Sequence, residues 1–191
     1  MTPGISSSGR LWSVVLAGGE GLRLRPLVER IHTDGRPKQY AVLVGSRSLL
    51  RQTLDRTALT VPPERTVVVT TKSHKPFFDA ELGASRARGP VLVVQPRDRG
   101  TAAGVLLPVH WIARQDPRAL VAVFPSDHFI GDDWAFAKHV ADLAVVAARH
   151  PDWIHLLGAE PDAPETGYGW IDPGDELDRA PAGGLRRVLS F

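Results

Sequence analysis

An α/β fold with a mainly parallel central sheet and helices on both faces is predicted by three observations. Short runs rich in Val and Leu recur along the chain, segments with helical spacing lie between them, and glycine-rich or charged loops follow the runs directly. Runs that are near-continuously apolar, rather than alternating, belong to strands buried on both faces, as parallel strands are.

The elements follow in order. Met1–Arg10 (MTPGISSSGR) is small and polar and reads as a flexible lead, leaving 11–191 as one domain. LWSVVLA (Leu11–Ala17), TVVVTT (Thr66–Thr71), VLVVQ (Val91–Gln95), LVAVF (Leu120–Phe124) and WIHLLG (Trp153–Gly158) read as strands. Helical spacing starts at Leu49, Leu50, Thr53 and Leu54, returns at Val105, Leu106, Val109 and Ile112, and again at Phe136, Val140, Leu143 and Ala147. Asp172–Gly184 (DPGDELDRAPAGG) has the composition of a surface turn or hairpin connection, after which LRRVLSF resumes a strand pattern up to Phe191.

Composition narrows the function classes. At 191 residues, 43% hydrophobic and 23% charged, the chain can bury a real core. A net charge of +2 gives no argument for nucleic acid, yet Arg23, Arg25, Arg30, Arg36 and Lys38 crowd together, which favours a local anionic ligand. With no cysteine, disulfides and thiolate metal sites are excluded. The first apolar run is too short for a signal-peptide core or a membrane span, so a soluble cytoplasmic protein with no membrane partner is expected.

In sheets of this type ligands bind beyond the carboxyl ends of the strands. The first such loop belongs to VLAGGEGLRLRPL (Val15–Leu27), where Gly18, Gly19 and Gly21 let backbone amides approach a phosphate and Arg23 adds a planar cation. It is neither a P-loop nor a dinucleotide fingerprint, and alone it fits a glycine turn with solvated arginines equally well. Lys38 in RPKQY follows a proline that stiffens its backbone and can offer a point charge, although a surface lysine explains it as simply. In QPRDRGTAAG, Gln95 can read a base edge while Gly100 and Thr101 open a helix, whether as a ligand site or as a plain cap. In FPSDHF, Asp127 just past an apolar strand needs a cation or donors, and magnesium held with substrate phosphates fits; a helix cap is the alternative. His128 beside it lacks companions at zinc spacing and reads as structural. In PETGYGWI, Glu165 with flanking glycines and aromatics suits a polyol, or an ordinary β-turn.

The order and spacing of these pieces resemble the sugar-1-phosphate nucleotidyltransferases, and among them the mannose-1-phosphate guanylyltransferases. That family opens with L-A-G-G-x-G-T-R-L-x-P-L followed by P-K-Q, then an E-P-x-x-R-N-T-A-like segment, P-A-D-H-x-I and P-E-T-G-Y-G-Y-I. Here these are LAGGEGLRLRPL, RPKQY, QPRDRGTA, PSDHFI and PETGYGWI, spread from Val14 to Phe191. The resemblance implies a Rossmann-like nucleotidyltransferase fold and a reaction in which a nucleoside triphosphate, GTP here, and a sugar 1-phosphate, mannose 1-phosphate here, give a nucleotide-sugar and pyrophosphate. It also implies roles: Leu16, Ala17, Gly18, Gly19 and Gly21 around the nucleotide phosphates, with Arg23 and Lys38 on the reacting phosphates. Asp127 would hold magnesium, Gln95, Gly100 and Thr101 would surround the base or ribose, and Glu165, Gly167 and Tyr168 would face the sugar. A homo-oligomer is left open.

The sequence departs from the family pattern at several places. Leu22 stands for threonine, Gly100 for asparagine and Ala103-Gly104 for Pro-Ala, and a short insertion near Ile31–Gly35 separates Arg23 from Lys38. The family's V-x-x-F-x-E-K-P segment begins at RVLSF but its Glu-Lys is not reached, so the chain is expected to be the nucleotide-binding part, C-terminally shortened. Two rivals remain. A cytidylyltransferase of isoprenoid synthesis shares the glycine start and P-K-Q-Y but not the P-E-T-G-Y-G segment. A non-catalytic nucleotide- or sugar-phosphate-binding module fits Leu22 and the shortened end.

Overall fold

The computed structural model describes residues 9–83, 89–164, 166–180 and 183–191. Four strands, β1 (Leu11–Leu16), β2 (Thr66–Thr71), β3 (Val91–Gln95) and β4 (Leu120–Pro125), form an all-parallel sheet in the order β3-β2-β1-β4. They coincide with the first four apolar runs, because only strands covered on both faces can be apolar throughout. The helices are α1 (Arg25–Ile31), α2 (Leu49–Thr57), α3 (Lys75–Leu82), α4 (Gly100–Gln115) and α5 (Asp133–Arg149). Ser48 caps α2 by accepting from the Arg51 amide at 3.0 Å, and Asp132 caps α5 by accepting from Ala135 at 2.9 Å.

Alternation along β1 divides the core into two layers. Val15 and Ala17 face Leu50 and Leu54 of α2, Phe78 and Leu82 of α3, and Val140 of α5. Trp12 and Val14 face the other way, against Ile112 of α4, with Trp12 and Trp111 packed edge-to-face at 6.0 Å. Helices therefore cover both faces, as the sequence pattern predicts. The α4 layer is thinner: Val123 of β4 stays 40% exposed.

Two expectations are corrected. Trp153–Gly158 is not a strand: the sheet ends at β4, the segment joins no ladder, and Ile154 is 94% exposed. An apolar run becomes a strand only if an edge accepts its backbone hydrogen bonds. Here Trp153 instead stacks on His150 at the end of α5, ring centroids 4.5 Å apart. The expected turn at Asp172–Gly184 is itself largely strand: β5 (Asp172–Ala180) pairs antiparallel with β6 (Gly183–Ser190) as a separate two-stranded sheet with three register shifts. Pro173 and Gly174 within β5 fit such an irregular ladder better than a regular one.

Candidate active site

The strand order reverses direction between β1 and β4, since the chain runs outward from β1 through β2 to β3 and then returns to the other side of β1 for β4. Loops leaving a parallel sheet at such a switch point diverge and open a crevice. The glycine loop after β1 and the Ser126–Asp127 loop after β4 flank it. Ser126, 3% exposed, stitches them together: its Oγ donates to the Leu16 carbonyl at 2.6 Å and its amide to the same oxygen at 3.3 Å.

The glycine loop is held from below by the RPKQY segment. Lys38–Tyr40 forms a short 3-10 turn that buries Gln39 and Tyr40. Gln39 Nε2 donates to the carbonyls of Ala17 at 2.9 Å and Gly19 at 3.0 Å. Thr70 Oγ1 (3.2 Å) and the Tyr40 hydroxyl (3.4 Å) donate to Ala17 as well. Burial pushes the Tyr40 phenol up to about 12, with the Thr70 hydroxyl at 2.9 Å opposing the shift in part. The Ala17 and Gly19 carbonyls are thus engaged by the protein. Among the described residues, the amides of Gly18, Gly19, Glu20 and Gly21 have no acceptor. A run of unpaired amides is the backbone's own anion site.

Gly21 lies at φ +63°, and a Cβ built there would sit 2.8 Å from Lys38 Cγ. The missing side chain lets the lysine stem cross the loop closely, and Lys38 Nζ forms an ion pair with the Asp127 carboxylate. The segment beside it is braced: Arg36 pairs with Asp34 at 2.6 Å and donates to the Tyr40 carbonyl at 3.2 Å. Hydrogen bonding from Arg36 holds the Asp34 carboxyl down at about 2.

The far wall comes from β3 and α4. Gln95 is 6% exposed, and no described residue hydrogen-bonds its side-chain amide. Gly100 starts α4 at φ +79° and donates its amide to Asp98 Oδ1 at 2.8 Å. Glycine adopts this left-handed region freely, and asparagine is among the few other residues that tolerate it. Gly104, one turn on, leaves space between Leu16 and Gln95, whose nearest atoms lie 3.7 and 3.9 Å from where a Cβ would be.

These walls enclose a cleft of about 250 Å³. Of the residues picked from sequence, Leu16, Gly18, Gly19, Gln95, Gly100, Thr101 and Asp127 line it. Ala17 is fully buried beneath, and Gly21 and Lys38 line a smaller cavity of about 40 Å³ behind the loop, together with Glu20 and His74. Arg23 lies in a 3-10 turn, Leu22–Leu24, lines neither cavity, and pairs with no described residue. Gly167 and Tyr168 do not line the cleft, Tyr168 being 77% exposed, and Glu165 falls outside the described residues. Sequence reading missed Gln39, Asp98, Gly104 and Ser126. Gln39 and Ser126 carried a signal, each being the polar neighbour of a chosen residue.

Asp127 and Asp98 are the carboxylates of the cleft, and no group of three or more metal-ligating side chains occurs among the described residues. That donor set suits a hard cation completed by ligand and water oxygens, as magnesium with phosphates is. No helix of the described residues is long and apolar enough to cross a membrane.

A parallel sheet with its cleft at the switch point defines an α/β fold of the Rossmann-like class. The family described as "Nucleotidyl transferase" matches residues 12–191, and the chain belongs to it. The alginate biosynthesis protein AlgA of Pseudomonas syringae pv. tomato is 33% identical over 93% of this chain and 35% of its own length. The mannose-1-phosphate guanylyltransferase of Escherichia coli K12 is 31% identical over 88% of this chain and 34% of its own. The crystal structure of mannose-1-phosphate geranyltransferase from Thermus thermophilus superposes with a TM-score of 0.68 at 32% identity, covering 89% of this chain and 47% of that one. The chain spans about a third of the length of the curated relatives it matches.

Proposed function

We propose that this chain transfers a nucleotidyl group from GTP to mannose 1-phosphate, releasing pyrophosphate, in the cytoplasm. The observation that carries the proposal is the Lys38–Asp127 bridge at the edge of a cleft whose glycine loop holds unpaired amides. The E. coli relative, whose name specifies this base and sugar, supports the choice of substrates.

An oxygen of the sugar phosphate attacks the α-phosphorus in line as the bond to pyrophosphate breaks, so no base and no covalent intermediate is required. The protein's work is positioning and charge neutralisation. The amides of Gly18, Gly19 and Gly21 receive phosphate oxygens, and Gln39 fixes the loop so that those amides need not reorganise. Lys38 places a positive charge at the mouth of the loop, where negative charge grows on the leaving group. Gln95, whose amide has no described protein partner, pairs with the base edge, and Thr101 closes on the ribose. Asp127, with Asp98 near, would hold magnesium, which supplies charge neutralisation of the bridging phosphate oxygens when bound.

Pyrophosphate release from GTP and mannose 1-phosphate with magnesium tests the proposal, with ATP, CTP and UTP and glucose 1-phosphate as comparators. Release with no base or sugar preference would overturn the substrates, and no release despite nucleotide binding would leave the second reading, a binding module without turnover. That reading is favoured by Arg23, which lines neither cavity.

A further inference from the structure

His74 has no part in the proposed chemistry, yet it is 4% exposed directly behind the glycine loop. It sits in the turn between β2 and α3, its ring edge-on to Tyr40 at 6.3 Å. Its Nε2 lies 3.6 Å from Oε1 of Glu20, and its Nδ1 is buried without a hydrogen-bond partner. Glu20 is the residue between the loop glycines, a carboxylate in the segment that offers its amides to phosphates. A free carboxylate there would repel the ligand the loop is shaped for.

The charges facing His74 leave these two groups to each other. From the loop comes Glu20, and from the segment after β3 comes Asp98, engaged by the Gly100 amide. Around the small cavity stand Arg25 and Glu29, paired at 3.1 Å, then Arg36, paired with Asp34, and Lys38, paired with Asp127. On its own element Lys75 pairs with Asp79. Burial holds the imidazole below its ordinary value, while Glu20, the Ala17 carbonyl and Asp98 pull it back up.

We infer that His74 is a positioning residue, which grips Glu20 from behind the glycine loop, keeps that carboxylate off the triphosphate, and takes up a proton when the nucleotide binds. The inference rests on the proposed nucleotide site. The negative charge of a triphosphate at the loop stabilises the imidazolium, and by linkage the imidazolium strengthens nucleotide binding.

Two measurements test it. The His74 imidazole is titrated by NMR without nucleotide in wild type and in Glu20→Gln, a change at a residue about half exposed that leaves the core intact. The variant is expected to titrate at lower pH, and an unchanged midpoint overturns the pair whatever the ligand. GTP with magnesium is then titrated calorimetrically in buffers of different ionisation enthalpy. Wild type is expected to take up protons and to bind up to about tenfold more tightly at about pH 6 than at about pH 8, relative to Glu20→Gln and His74→Gln. Equal pH dependence in all three proteins, or uptake that persists in His74→Gln, overturns the proton coupling. If wild type binds no nucleotide at all, the proposed site fails together with that coupling, while the first titration still decides the pair.

Discussion

Gly21→Ala separates backbone strain from loss of the lysine's position. Gly21 has φ +63°, where an L-residue costs roughly 1–2 kcal/mol. In addition, the new methyl would stand 2.8 Å from Lys38 Cγ and 3.1 Å from Cδ, so the lysine stem must move and carry its ammonium away from Asp127. Gly35 supplies the control: its φ is +71°, with nothing within 4 Å of a built Cβ. Both variants are expected to lose about 1–2 kcal/mol in guanidinium unfolding, a melting shift of roughly 2–8 °C for a chain this size. Only Gly21→Ala is expected to lose nucleotide affinity, about tenfold or more by calorimetry with magnesium–GTP, since a misplacement of about 1 Å can cost up to ~100-fold. Equal affinity losses in the two variants would show that the Gly21–Lys38 contact does not position the charge.

Other perturbations follow from the same geometry. Gln39→Leu keeps the volume but strips donors from the Ala17 and Gly19 carbonyls; a loss of about 1–3 kcal/mol in urea unfolding is expected, with faster hydrogen exchange at the Gly18–Gly21 amides. Asp127→Asn is expected to weaken magnesium–GTP binding about tenfold or more and to strengthen metal-free GTP binding, because Lys38 is released from its ion pair, read from titrations with and without magnesium. Because burial lowers the His74 pKa, the unfolded chain binds the proton first as pH falls below about 6.5. Stability is therefore expected to decline from about pH 6.5 toward the lower folded value, and His74→Gln to flatten that part of a melting-temperature profile.

The sheet was legible because parallel strands announce themselves by continuous Val and Leu, and all four lie where the apolar runs predict. Trp153–Gly158 has the same composition without a strand, since a run of side chains says nothing about whether an edge is open to pair with it. Within the site, residues that act by type could be found: the loop glycines, Lys38, Gln95 and Asp127 stand at or beside the cleft. Residues that act by what they hold carried only the signal of standing beside a chosen residue. Gln39 matters because two particular carbonyls converge on its amide, and Ser126 because its hydroxyl meets the end of β1, contacts between segments far apart in sequence. Arg23 shows the converse: the arginine stands where the motif places it, but its turn leaves it unpaired among the described residues and outside both cavities.

The pairing of charges around the loop explains why Lys38 and Asp127 carry more weight than their neighbours. Arg25–Glu29 closes within a single helix and Arg36–Asp34 within a single turn, with Arg36 reaching no further than the nearby Tyr40 carbonyl, so each braces local backbone. Lys38–Asp127 joins the segment under the β1 loop to the loop after β4, across the switch point. Its side chains are 29% and 21% exposed, sheltered enough to be placed yet wet enough to exchange partners. An arriving phosphate anion competes with Asp127 for the lysine, and an arriving cation competes with Lys38 for the carboxylate. A ligand that brings both charges together satisfies each partner at once, whereas a bare nucleotide or a bare cation must break the bridge and leave one member uncompensated. Under the proposed function, the bridge is therefore expected to favour a metal-bound nucleotide over either component alone, which titrations of GTP, magnesium and the two together check.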